Sequence, residues 1–325
     1  MSGDRSGVMV PRGQPPPHAL FDQSPPDPPG RHAAALRLPG LSIGFEAMDE
    51  SWHQAFLEKL GGYAADLAVR PEPPTVLYAA RRGAMDHFIP PPPPGRSQLN
   101  PVFVQTDPDP AAPGHFLVRL CTATMAARFS TAGGRGTLIV SRGTSEPRER
   151  SIENILRVTT AWLAVTRGGV LMHSASIERE GRAYLFFGQS GAGKSTLASL
   201  SRRGRVVSDD LTLILPGDER VPEAVGSPFR GTYAGGPPVH GRHPVAAGFR
   251  LRKAAPGEGS AVLPMPGSRS MASAIANLPF VVDLLHAAPE LFDPIDALLR
   301  SFPIHLLRFT DQDDSFWDAI EAAKL

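Results

Sequence analysis

The chain has 325 residues, 35 of them proline, one cysteine and a formal net charge of +1. That length suits one large domain with a smaller one, and the balanced charge leaves no electrostatic footprint for nucleic acid or an anionic membrane surface. The lone Cys121 excludes an internal disulfide framework and a cysteine-based zinc site and reads as a small buried hydrophobe; with no apolar run of bilayer-spanning length and no signal-peptide core, a cytoplasmic location is the expectation.

Residues 1–32 are dominated by Pro, Gly, Arg and Asp, as in "GQPPPH" and "SPPDPPGR". They offer too little apolar surface to offset ordering entropy, so a disordered Pro-rich tail is expected. "LRLPGLSIGF" then reads as an early strand, and "DESWHQAFLEKLGGY" as a short amphipathic helix ending at Gly61 and Gly62. "TVLYAARR" is strand-like, the proline run at 90–94 reads as a semi-rigid loop, and "HFLVRLCTATMAARFS" and "GTLIVSR" add further strands. Residues 33–150 thus form a small α+β N-terminal domain without recognisable chemistry.

The character changes at Ser151, which opens a domain expected over residues 151–325. "SIENILRVTTAWLAVTRGG" has helical spacing, with Ser151 as N-cap and Gly168 as the stop. "VLMHSASIE" and "AYLFF", joined by the polar "REGR", read as a hairpin. "GQSGAGKST" follows, a G-x-x-x-x-G-K-S spacing between a strand-like and a helix-like segment.

The glycines Gly188, Gly191 and Gly193 allow successive N–H groups to turn inward and form an anion-binding concavity. Lys194 adds a full charge, Ser195 a hydroxyl suited to the magnesium that accompanies a nucleoside triphosphate, and the helix starting near Ser195 a favourable dipole. "RVVSDDLTLILP" comes next, a strand pair with Asp209 and Asp210 at its centre. Carboxylates there can hold magnesium or accept a proton from an attacking hydroxyl. Adjacent residues of a strand point to opposite faces, so the two share one job only if the strand bulges.

A parallel doubly wound fold would place long helices around the loop; a hairpin and one short helix point instead to a mixed sheet. Beyond Pro216 the chain is Pro/Gly-rich until "VVDLLHAAPELFDPIDALLRSF" restores helical spacing. His173, a histidine in a strand, identifies no chemistry by itself. Arg230, in "SPFRG", is either a surface-turn arginine or one that reaches a transferring phosphoryl group.

The stretch "LMHSASIEREGRAYLFFGQSGAGKSTLASLSRRGRVVSDDLTLI" resembles the catalytic core of the bacterial HPr kinase/phosphorylase family and its HPr-kinase-related cousins, a P-loop fold similar to that of phosphoenolpyruvate carboxykinase. The likeness covers residues 151–215 best and continues more weakly to the C-terminus. It implies that Gly188, Gln189, Ser190, Gly191, Ala192, Gly193, Lys194, Ser195 and Thr196 bind ATP, with Ser195 and Asp210 on Mg2+. It further implies that Asp209 is the candidate base and that His173 lies at the phosphoryl-transfer site. The function so implied is transfer of the γ-phosphoryl of ATP to a hydroxyl, a serine of a protein or peptide. An ATP-binding accessory protein without transfer activity, and a carboxykinase-like enzyme acting on a small metabolite, stay open as alternatives. Neither nucleic acid nor membrane is expected as a partner, and homo-oligomerisation is left open.

Overall fold

The structure, a computed structural model, describes residues 21, 28, 30–70, 72–83, 102–122, 124–141, 148–218, 221–229, 231, 233–236 and 239–324. The proline run at 90–94, Arg230 and most of residues 1–32 lie outside them. The chain divides into two compact units, Met1–Trp162 and Leu163–Leu325. Each is built on a large mixed sheet with helices packed on it, an α+β arrangement.

In the first unit the order is β1 (His32–Leu38), β2 (Leu41–Met48), α1 (Glu50–Leu60), β3 (Ala64–Asp66), β4 (Val76–Gly83), β5 (Phe103–Pro108), β6 (Phe116–Cys121), β7 (Met125–Ser130) and β8 (Gly134–Ser141). α2 (Arg148–Val165) follows, and the division between the units falls inside it. The eight strands lie in the order β3-β1-β2-β4-β8-β7-β6-β5. "LRLPGLSIGF" is therefore a hairpin rather than one strand: β1 and β2 pair antiparallel across Pro39 and Gly40, whose φ of 84° suits a glycine. α1 starts where expected because Asp49 caps it, its carboxylate accepting the Trp52 N–H at 2.9 Å.

The boundary expected before Ser151 lies further along because the front of α2 packs on the first unit's sheet. Thr159 Oγ1 is 2.8 Å from the fully buried Tyr78 hydroxyl, and Trp162 packs against Phe116. Ser151 is not an N-cap. It lies three residues inside the helix, buried, and its hydroxyl accepts a hydrogen bond from Thr122 at 3.0 Å. The stop is as read: Gly168 (φ 74°) donates to Val165 O and Gly169 to Ala164 O, the paired bonds of a Schellman cap.

One part of the expected tail is packed. Phe21 is buried with Cys121, Ala126 and Ile139, and the Arg128 guanidinium lies 5.2 Å from its ring centroid. Average composition does not announce a single buried aromatic, since it averages over it.

The second unit contains β9 (Val170–Arg179), β10 (Arg182–Phe187), α3 (Lys194–Leu200), β11 (Arg205–Ser208), β12 (Leu211–Leu215), β13 (Glu223–Val225), β14 (Arg242–Lys253), β15 (Ala261–Leu263), α4 (Gly267–Ile275), α5 (Val281–Ala287), α6 (Phe292–Arg300), β16 (Ile304–Phe309) and α7 (Phe316–Ala322). β9 and β10 form the expected hairpin, turning at Glu180 and Gly181, both at positive φ. β10, β14 and β16 run parallel, while the pairings of β9, β12 and β13 are antiparallel. The segment after Pro216 thus holds the longest strand, β14, which the sequence reading missed. Pro244 and Gly248 interrupt its pattern, and Val245 to Phe249 are buried in succession because the strand is interior to the sheet.

One core cluster fastens α3 and α7 to this sheet. Phe186, Leu197, Phe249, Leu307, Phe309, Phe316 and Trp317 are all fully buried in it, with Phe186 stacked on Phe249 at 5.5 Å. Truncating an aromatic there costs about 3–5 kcal/mol. The phosphate-type loop therefore joins two firmly held elements.

Candidate functional site

The loop leaves β10 at Phe187, and register fixes what surrounds it. Phe187 faces Ser174 of β9 on one side and Arg250 of β14 on the other. His173 is the next residue of β9, so it lies beside the point where the loop departs. Its own N–H donates to Asn277 O at 2.7 Å.

Two glycines of the loop are required by contact. A Cβ on Gly188 would come within 2.9 Å of Ala192 Cβ, and one on Gly193 within 2.5 Å of the Phe309 ring, at a φ of 100° that side chains avoid. Gln189, Ser190, Gly191 and Thr196 are exposed; Ala192, Gly193 and Ser195 are half-buried. α3 is short, as expected, running from Lys194 to Leu200, so that Lys194 is its first residue. The Lys194 ammonium folds back across the loop and donates to Gly188 O at 3.0 Å. Its burial lowers its pKa from the ordinary lysine value, and the negative charge of Asp210 opposes that shift.

The aspartates are not in a hairpin. β11 and β12 do not form a ladder with each other; both pair antiparallel with β9, one after the other, with a register shift between Val206 and Ser208. Asp209 and Asp210 occupy the bend between the two segments, so the interruption needed for both carboxylates to serve one region is present.

Their surroundings differ. Asp209 is 5% exposed, and its Oδ2 accepts the backbone N–H groups of Gly231 and Tyr233, each at 3.0 Å. Gly231 permits that approach: a Cβ there would lie 2.9 Å from the same oxygen. Asp210 is more open, and its Oδ1 lies 3.2 Å from His173 Nε2, with side-chain exposures of 18% and 44%. Lys194, Asp210 and His173 are thus brought together, and Asp209 ties a neighbouring loop to them.

Arg230 lies outside the described residues. Sequence reasoning does not find Gly231 and Tyr233 as partners of Asp209; the available signal is the glycine that follows Arg230 in "SPFRGTY". Also missed was Lys253, whose Cε lies 3.5 Å from a Cβ built on Gly193.

Among the described residues no three His, Cys, Asp or Glu side chains cluster as a self-sufficient metal site. Magnesium bound with a nucleotide takes only one or two protein oxygens beside phosphate and water. The partly open Asp210 carboxylate and the half-buried Ser195 hydroxyl are donors of that kind. No helix among the described residues is long and apolar enough to cross a membrane. Compared with known proteins, the chain matched no family model and no curated protein.

Proposed function

We propose that the second unit is an ATP-dependent kinase of the HPr-kinase-related type, with the P-loop core of that fold, acting on a hydroxyl, a serine of a protein or peptide. The carrying observation is the convergence of a glycine loop and its buried lysine with a carboxylate–imidazole pair at the end of one strand. Phosphoryl transfer asks a protein mainly for positioning and charge neutralisation, and those groups supply both.

On this reading residues 188–196 cradle the triphosphate and Lys194 leaves Gly188 O for a phosphate oxygen. Ser195 and Asp210 hold magnesium, which when bound neutralises charge between the phosphates. His173 orients Asp210 from its far side. Asp209 keeps Oδ2 on the 231–233 loop and has Oδ1 left for the acceptor. The acceptor oxygen bonds to the γ-phosphorus, the bond from that phosphorus to the β–γ bridging oxygen breaks, ADP departs, and the hydroxyl proton passes to Asp209.

The test is incubation of the full chain with γ-labelled ATP, magnesium and whole-cell lysate, beside a Lys194→Ala control. Label on a macromolecule that the control lacks supports the proposal. Label on a small acid alone selects the carboxykinase-like alternative, and binding without any transfer selects the accessory protein.

A further inference from the structure

The loop is backed on its far side by an extension of β14. β10 ends at Phe187, opposite Arg250, but β14 continues through Leu251 and Arg252 to Lys253. Where β10 has stopped, the loop itself lies along this extension: a Cβ on Gly188 would be 3.7 Å from Leu251 O, and one on Gly193 would be 3.5 Å from Lys253 Cε. Both glycine ends of the loop therefore rest against one strand, Gly188 at Leu251 and Gly193 at Lys253.

Lys253 is held there loosely. Its ammonium lies 3.7 Å from Asp311, and both side chains are half exposed, at 50% and 51%. An exposed ion pair of that length contributes little, so it yields readily to a stronger anion. The Lys194 ammonium and the Asp210 carboxylate act on each other, so part of that lysine's charge is already answered before a polyphosphate enters.

We infer that Lys253 is a second phosphate-binding cation of this site, swinging from Asp311 to the nucleotide's phosphate chain when it enters the loop. This rests on the nucleotide reading of residues 188–196. The ammonium reaches the chain from the Gly193 side, while Lys194 reaches it across Gly188, so the phosphates are held between two lysines from different elements. Phe309, packed under Gly193, keeps the Lys253 stem on the loop side of the strand.

The test is the affinity of full-length Lys253→Met and Lys253→Arg for ATP and ADP with magnesium, and for AMP and adenosine. Methionine keeps an apolar stem against Gly193 and Phe309 and loses the charge. ATP binding by Lys253→Met should weaken about tenfold, ADP binding less, and adenosine binding within twofold of unchanged, with arginine restoring most of the loss. ATP affinity within twofold of the parent, or equal losses for ATP and adenosine, would overturn the inference. Asp311→Asn separates charge from scaffolding: affinity kept or tightened supports the ammonium's role, and a loss matching Lys253→Met overturns it. Lys194→Met is the reference. If it binds ATP as well as the parent, the nucleotide reading itself fails; if it alone loses binding, only the role of Lys253 fails.

Discussion

Asp209 Oδ2 accepts two backbone N–H groups, from Gly231 and Tyr233, while the adjacent Asp210 turns its Oδ1 to His173 Nε2. Consecutive carboxylates therefore have separate tasks, and substitutions can tell them apart.

Asp209→Asn retains an amide oxygen able to accept the Gly231 and Tyr233 N–H groups and places an NH2 where Oδ1 was. The fold and nucleotide affinity should survive within a few-fold, and phosphoryl transfer should fall by about 10²-fold or more, the scale of a positioned general base. Asp209→Ala should also lower stability by about 1–3 kcal/mol, because it strands two donors. Transfer rates and urea melts of both variants check this. An active asparagine variant beside an inactive alanine variant would make Asp209 a loop anchor only.

Asp210→Asn removes the charge proposed to meet magnesium. The metal concentration for half-maximal transfer should rise about tenfold or more, with metal-free nucleotide affinity unchanged or tighter, since a carboxylate no longer opposes the phosphates. His173→Gln should produce a smaller rise in the same direction, because it loosens Asp210 without removing it. A magnesium titration of the three proteins decides.

Lys194→Ala removes the ammonium proposed to meet the phosphates, a charge-assisted contact of about 2 kcal/mol or more. Calorimetry with an ATP analogue and magnesium should show affinity down by well over tenfold. Unchanged affinity would end the phosphate-loop reading.

Phe21 covers Cys121 within one apolar cluster, and burial pushes the thiol pKa up to about 12. Native Cys121 should resist a thiol reagent, and Phe21→Ala should react at least tenfold faster and lose about 3 kcal/mol. Because the folded-state pKa is raised, the stability tied to the protonated thiol is intact below about pH 9 and is lost as pH climbs towards 12. Deleting residues 2–32 should therefore lower the melting temperature by several degrees, where the composition of that stretch alone predicts no change.

What could be read in advance was local. Gly181, Gly168 and the loop glycines mark backbone conformations that few other residues adopt, and the turn, the cap and the loop follow from them. Pairings between distant segments were not legible. That β11 and β12 both lie along β9, and so bring Asp210 to His173, depends on register over 30 and more residues, which no local pattern encodes. β14 was hidden for a related reason: Val245 to Phe249 are buried in succession without alternation, and only the short FRLRK at the strand's end alternates. Phe21 shows the converse, a single buried aromatic that the average composition of its stretch does not announce.

β9 is bonded along one edge by β10 and along the other by β11 and then β12. Its amides alternate between these neighbours, and β10 is itself held by β14 on its other side, so the β9 amides bonded to β10 should be among the slowest in the unit to exchange with deuterium. The strand that carries His173, braces the start of the loop and sets the position of Asp210 is also among the last to loosen. Ligand binding and the slowest exchange should consequently vanish at the same denaturant concentration, with no partly folded species that still binds nucleotide.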